Sequence, residues 1–217
     1  MNCYARSVTL AFRPATPADA DAAVPLIYSS GPTTFDYVFH APPRGTAVEF
    51  LRQAFLDGAG EFGFRNHVVG MRDGVVVAAG SAWSGAATLS FTLAAARQIL
   101  GCYGLVAGLG VITRGLKVES VIRPPGRDCW YVAHLGVPPE LRGQGIGVHL
   151  VEHLLAQGRE RKLPYAALDV AVTNPRAQQL YERIGFRVTR ECESRLANAQ
   201  ARVAEHRRME LRLAPGG

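Results

Sequence analysis

Past the middle of the chain, an apolar run ends at Val137, is broken by Pro138-Pro139, and passes through Arg142-Gly143-Gln144-Gly145-Ile146-Gly147 into an amphipathic stretch that begins Ile146-Gly147-Val148. Glycines let backbone come close to a ligand. A helix starting there offers unpaired N–H groups and the positive end of its dipole. The chemistry of such a turn is anion binding. The glycine spacing is neither GxGxxG nor GxxxxGK[ST], so the dinucleotide and P-loop cradles are set aside, and Gly108 and Gly110 read as packing contacts.

About thirty residues further on stands Asn174-Pro175-Arg176-Ala177, followed by Leu180-Tyr181-Glu182-Arg183-Ile184-Gly185-Phe186. Together the two segments resemble the GNAT superfamily of acetyltransferases. Arg142-x-x-Gly145-x-Gly147 looks like that family's Q/R-x-x-G-x-G/A signature, and Asn174 to Phe186 looks like its N-x-x-A-x-x-x-Y-x-x-x-G-F helix. The resemblance covers about Asp128 to Val188; the earlier elements agree only in order.

The resemblance implies acetyl-CoA as cosubstrate, no metal, and direct attack by a primary amine in a ternary complex. It implies an α/β fold with a mixed, mostly antiparallel sheet of about seven strands. One parallel pair, the strand of Leu135 and Val137 beside Tyr165 to Val170, would splay to admit the pantetheine arm. By that alignment the Leu135 N–H bonds the thioester carbonyl and Val137 pairs with pantetheine. Arg142 belongs to the signature, and Gly143, Gln144, Gly145, Ile146, Gly147 and Val148 wrap the pyrophosphate.

Attack on a thioester needs an acceptor for the amine's proton, an N–H for the developing oxyanion and a donor for the leaving thiolate. Tyr181 lies where the family places its general acid; packing on the inner face of its helix is the other reading. Asn174 either caps that helix alone or also touches the cofactor. The base is open. Simple alternation puts Cys129, Tyr131 and Ala133 on one strand face and His134 on the other, so the family's carboxylate is missing from the acceptor face. His134 serves only if a bulge reverses the parity near Leu135; Asp36 and a water relay are the alternatives. The acceptor wall is expected from the first two helices and their loop, with Ser29, Ser30, Asp36 and Tyr37 as contacts and Tyr131 facing them.

The elements that must position these groups follow from pattern. Val8 to Arg13 reads as a first strand. Thr16-Pro17 opens a helix that runs to about Ser29, ahead of Gly31-Pro32. A polar and aromatic loop, TTFDYVFHAPPRG, precedes a short helix over Ala47 to Leu56. His67 to Met71 and Val75 to Trp83 flank Asp73-Gly74, a hairpin signal. Then come a strand Asp128 to Val137, a helix Ile146 to Gln157, a strand Tyr165 to Val170, a helix Asn174 to Ile184, a strand through Val188 and a last strand His206 to Leu213. The closing APGG reads as a tail.

One stretch exceeds a minimal domain. The chain reads as one acyltransferase domain, 1–217, with a helical insertion at about 86–127 that has no counterpart in the family pattern. Leu89 to Leu100 and part of Leu105 to Leu116 are expected as helices whose apolar faces are buried, over the acceptor side or between two subunits of a homodimer. The dimer is favoured because few polar groups are present to recognise a charged amine. Glycine density and length put Ile99 to Thr113 short of a membrane span.

Composition bounds the rest. With 217 residues, 48% hydrophobic and 19% charged, the chain can bury a large core. Cys3, Cys102, Cys129 and Cys192 are scattered, which suits reduced thiols in a cytoplasmic protein. The net charge of +6 is spread among acidic residues rather than gathered in a run, so no nucleic-acid partner is expected. An acyltransferase acting on a small-molecule or peptide amine leads. A CoA-binding sensor of the same fold is the alternative, motivated by the missing carboxylate, and a nucleic-acid-associated protein rests on charge alone.

Overall fold

The computed structural model describes residues 10–213. The chain runs β1 (Ala11–Pro14), α1 (Ala20–Ser29), α2 (Pro32–Phe39), α3 (Ala47–Asp57), β2 (His67–Arg72), β3 (Val75–Ser84), α4 (Thr88–Val118), β4 (Cys129–Gly136), α5 (Ile146–Glu160), β5 (Tyr165–Ala171), α6 (Pro175–Ile184), β6 (Arg187–Cys192) and β7 (His206–Arg212). The sheet has seven strands in the order β1-β2-β3-β4-β5-β7-β6. Every neighbouring pair is antiparallel except β4–β5. The mixed, mostly antiparallel sheet expected from the sequence is thus observed. Val8 of the expected first strand and the APGG tail lie outside the described residues.

Two cores flank the sheet. On one face α5 buries Ile146, Leu150, Val151, Leu154 and Leu155 against Trp130, Val132, Ala166 and Leu168. The spacing is that of an amphipathic helix. Each fully buried leucine contributes on the order of 2 kcal/mol. The Trp130 indole N–H donates to the Leu154 carbonyl at 2.7 Å, locking α5 over β4. On the other face α1, α2 and α3 bury Ile27, Phe39, Phe50, Leu51 and Phe55.

The expected loop TTFDYVFHAPPRG is in part a helix, α2. Pro32 at its first turn pre-sets φ, and Phe35, Val38 and Phe39 recur at helical spacing and are buried, so packing overrides the polar look of the segment. α3 begins on a capping box: Thr46 Oγ1 accepts from the Glu49 N–H at 3.2 Å, and the Thr46 N–H donates to Glu49 Oε2 at 2.7 Å. Arg13 on β1 grips buried Asp19 ahead of α1 with two 2.7 Å bonds, which hold that carboxyl down at about 2.

The insertion is a single helical stretch broken at Gly104, whose φ of 73° and ψ of 176° stop the helix. The chain doubles back there: a Cβ on Gly108 would lie 3.4 Å from the Leu100 Cα, whereas eight residues of unbroken helix span about 12 Å. The stretch 85–118 is long and apolar enough to cross a membrane by length and composition; doubled at Gly104, neither arm reaches the ~20 residues a span needs. Tyr103 is buried and donates to the Phe39 carbonyl at 2.6 Å, and Arg114 Nε donates to the Val38 carbonyl at 2.9 Å. Ile99, Tyr103, Val111 and Val118 form the buried face of the insertion within the chain, and Leu89, Leu93 and Leu105 stand 73%, 64% and 68% exposed on its outer face.

Candidate active site

β4 and β5 pair only through Cys129↔Tyr165, Trp130↔Ala166 and Tyr131↔Ala167. Beyond Tyr131 the two strands part, β4 continuing to Gly136 and β5 to Ala171. β5 stays paired with β7 along its length, so β4 departs from it and leaves backbone on that edge without a strand partner. Unpaired strand backbone costs free energy until something satisfies it. Leu135 and Val137 lie along this parted stretch, both half-buried, with side chains packed into the α5 core.

The glycine turn stands at the end of the gap. Gly145 is the N-cap of α5 at φ 81°, a left-handed conformation that side chains resist. Gly143 shares it at φ 82°, with open space where a Cβ would stand. The His149 N–H is bonded to the Gly145 carbonyl at 3.1 Å, so Ile146, Gly147 and Val148 occupy the helix's first turn, where amides have no intrahelical partner. A 15-residue helix aims its positive dipole end at the same place. Arg142 Nε donates to the Val137 carbonyl at 3.1 Å, and the Gln144 side-chain oxygen accepts from Arg72 at 2.7 Å. These two side chains brace the turn. The donor set and the open glycine fit a pyrophosphate.

α6 closes the other flank. Asn174 Oδ1 accepts from the Ala177 N–H at 3.2 Å as its N-cap. Leu180 of α6 comes within 3.4 Å of where a Cβ on Gly147 would stand, so the two motifs are neighbours in space. Tyr181 is half-buried, edge-on to Phe186 at 6.2 Å. Burial pushes its phenol up to about 12, which keeps it protonated at neutral pH. Its hydroxyl has no hydrogen-bond partner among the described residues.

On the opposite face β4 carries a bulge. Ser81 pairs with Ala133 but Ala79 with Gly136, so β4 spends one more residue than β3 over this interval. His134 sits there at φ 56°, a left-handed backbone uncommon for a side-chain-bearing residue. The bulge turns His134 to the face of Tyr131, where its ring lies 5.0 Å from Phe62 and 5.9 Å from Trp83. Leu135 is returned to the α5 face.

Around His134 the structure assembles groups that the sequence did not single out. His67, first residue of β2, pairs with Ser81, which pairs with Ala133, so three adjacent strands bring the two histidines together. His67 Nδ1 donates to the Gly63 carbonyl at 3.0 Å. Burial first, and the neighbouring His134 second, push His67 down to about 3, so it is neutral. Its Nε2 therefore accepts, and His134 Nδ1, 3.2 Å away, donates. Ser81 Oγ lies 3.1 Å from the same Nδ1. His134 Nε2 is left facing Glu61 Oε1 at 3.2 Å. Glu61 comes from the loop after α3, which is pinned by Asn66 Nδ2 donating to the Gly60 carbonyl at 2.7 Å. The glycines at 58, 60 and 63 that cluster around Glu61 were the one signal in the sequence.

The sequence profile of the acetyltransferase (GNAT) family matches residues 55–186. The chain belongs to this family. A 5-NmdU N-acetyltransferase of Pseudomonas phage PaMx11 is 34% identical over 74 residues, covering 34% of this chain and 49% of that protein. The chain thus spans about half the length of that relative. Among solved structures, an N-acetyltransferase from Staphylococcus aureus Mu50 superposes with a TM-score of 0.65 at 16% identity, over 93% of this chain and all of the other. A polyamine N-acetyltransferase from Drosophila melanogaster gives 0.56 at 20% identity, over 94% and 100%. A Salmonella typhimurium structure with its cofactor acetyl-CoA gives 0.53 at 15%, over 96% of each chain. At these identities the likeness is one of fold.

A cavity of about 340 Å³ opens beside His134, lined by Ser30, Phe35, Glu61, Trp83, Tyr131 and His134 among others, with one side supplied by α4. Of the expected acceptor contacts, Ser30 and Tyr131 line it. Ser29, Asp36 and Tyr37 do not. Asp36 accepts from the Tyr28 hydroxyl at 2.8 Å, Tyr37 is buried in the core, and Ser29 donates to the Leu26 carbonyl at 2.7 Å, all within the helix layer. Tyr131 is itself committed, donating to Asp169 at 2.7 Å. Arg208 completes that cluster with contacts to Asp169 at 3.1 and 3.2 Å, and burial pushes the Asp169 carboxyl up. No group of three or more His, Cys, Asp or Glu poised for a metal occurs among the described residues.

Proposed function

We propose that the chain moves an acetyl group from acetyl-CoA to a primary amine by direct attack within a ternary complex. The observation that carries this reading is the parting of β4 from β5 beside the left-handed glycine turn, with the His134–Glu61 pair on the opposite strand face. The amides of Gly143 to Val148 would hold the pyrophosphate, with Val137 and Asn174 flanking it. Acetyl-CoA supplies an activated acyl carbon and a thiol leaving group. The Leu135 N–H is assigned to the carbonyl oxygen, where charge develops during attack.

Glu61 and His134 are assigned as the base. With the His134 Nδ1 proton committed to His67, the pair has room for one proton between Nε2 and Oε1. Taking it from the amine converts a carboxylate beside a neutral ring into a neutral ion pair. Glu61, 39% exposed, can release it to solvent. Tyr181 is assigned as the acid for the thiolate. The carboxylate missing from β4, which motivated the sensor alternative, is supplied in space by Glu61, and this favours the enzyme.

The chain is taken to act as one acyltransferase domain in the cytoplasm, with the 86–127 insertion beside the acceptor. Every residue used here belongs to a single chain. The test is acetyl-CoA consumption with a panel of primary amines, with product identified by mass. Binding of acetyl-CoA without transfer to any amine would return the protein to the sensor class.

A further inference from the structure

Resting on that reading, we infer that the acceptor is a monoamine carried on an aromatic or branched apolar body, and that the insertion α4 selects it. The cavity beside Glu61 and His134 is walled by rings from four separate elements and one loop. Trp83 lies 5.2 Å from Tyr131 and 5.5 Å from Phe91, and Phe62 lies 5.9 Å edge-on from Phe35. α4 adds Phe91, Ile99 and Ile112 to this wall. The volume of about 340 Å³ stands at the small end of the roughly 300–1,000 Å³ usual for small-molecule sites.

The polar inventory excludes most other amines. The lining hydroxyls of Ser30, Thr88 and Thr92 donate to nearby backbone carbonyls at 2.7, 2.7 and 2.9 Å, which leaves half-buried Thr34 as the aliphatic lining hydroxyl without a partner among the described residues. Asp169, the second carboxylate in the lining, is 4% exposed, and both its oxygens are taken by Tyr131 and Arg208. Glu119 stands exposed at the rim together with Arg123. One interior carboxylate, Glu61, is therefore free for one ammonium. A second ammonium would lose water without gaining an interior carboxylate, and the several hydroxyls of an aminosugar would outnumber the polar groups left to them, Thr34 and His206, while a ring would gain its full burial. The doubling at Gly104 lets a segment foreign to the minimal family pattern build this wall, so the specificity belongs to the insertion.

The test compares 2-phenylethylamine and tryptamine with putrescine, spermidine and an aminoglycoside as acceptors at saturating acetyl-CoA. kcat/KM for the aromatic amines should exceed that for putrescine on the order of 100-fold, the scale of burying one ring. Phe91→Ala on α4 should shrink that ratio on the order of tenfold while acetyl-CoA affinity by calorimetry stays unchanged. An independent arm needs no turnover. The chain has two tryptophans, and Trp130 lies in the α5 core; 2-phenylethylamine should therefore change the tryptophan fluorescence saturably, and Trp83→Phe should remove the change. Faster transfer to putrescine or the aminoglycoside would overturn the inference and leave the acetyltransferase reading standing. Saturable binding of 2-phenylethylamine without transfer to any amine would keep the ligand class and sink the catalytic reading. Absence of that binding overturns the inference.

Discussion

His134 Nδ1 lies 3.2 Å from His67 Nε2, with the two rings 11° from parallel and their centroids 5.4 Å apart. A buried neutral histidine thus fixes the tautomer of a second one on a strained bulge, and that second ring presents its remaining nitrogen to Glu61. Strained backbone persists where surrounding structure over-determines it. Here the stack of Phe62, His134 and His67 does so.

Removing either member of the base pair should slow transfer without weakening the cofactor. Glu61→Gln and His134→Gln should each lower kcat by roughly 10²–10⁴-fold, the usual scale of general-base loss. Calorimetric acetyl-CoA affinity should be that of wild type. Full turnover in both variants would place the base elsewhere.

His67 acts through His134, and its loss should show in two readouts. His67→Gln should reduce kcat more than it alters KM, because the tautomer and not the acceptor wall is disturbed. Stability gives the second. The His67 pKa is depressed from the usual 6.5 to about 3 by burial. Above pH 6.5 the ring is neutral folded and unfolded, and that stability is fully present. As pH falls below 6.5 the unfolded chain takes a proton that the folded one refuses, costing up to about 1.4 kcal/mol per pH unit until about pH 3. The wild-type melting temperature should therefore fall more steeply between pH 6.5 and 4 than that of His67→Gln. Parallel curves would count against a neutral buried His67.

Tyr181→Phe should keep cofactor affinity and fold while lowering turnover by roughly 10²–10⁴-fold. With its phenol pushed up to about 12, Tyr181 remains a proton donor through the working pH range. Turnover equal to wild type would make Tyr181 a packing residue beside Phe186.

Gly145→Val should abolish acetyl-CoA binding in a folded protein. A β-branched residue resists the φ of 81° at the N-cap of α5 and would swing the turn's amides away from the pyrophosphate. Circular dichroism establishes the fold, and an unchanged calorimetric Kd would refute the cradle.

Much of this architecture was legible because it is local. The hairpin at Asp73-Gly74, the strand broken by Pro138-Pro139, the glycine N-cap of α5 and the Asn174 cap of α6 are each encoded within a few residues by conformational preference or helix-end chemistry. Period-2 and helical patterns then sorted the apolar residues to the sheet and to α5. α2 was missed because its aromatic positions are decided by packing against α3 and the sheet, not by helix propensity.

The cluster around His134 was not legible, and the reason is physical. Alternation sends His134 to the α5 face; one extra residue in β4 reverses it, and nothing near His134 in the sequence announces a bulge that depends on pairing with β3. Glu61 and His67 matter only because His67, Ser81 and Ala133 fall in line across β2, β3 and β4, a register set by three strands at once. The sequence by itself determined the glycine turn and the family. Tertiary structure alone decided the His67–His134–Glu61 cluster and the cavity, because both are made by residues distant in the chain whose meeting is fixed by strand register and by the break at Gly104.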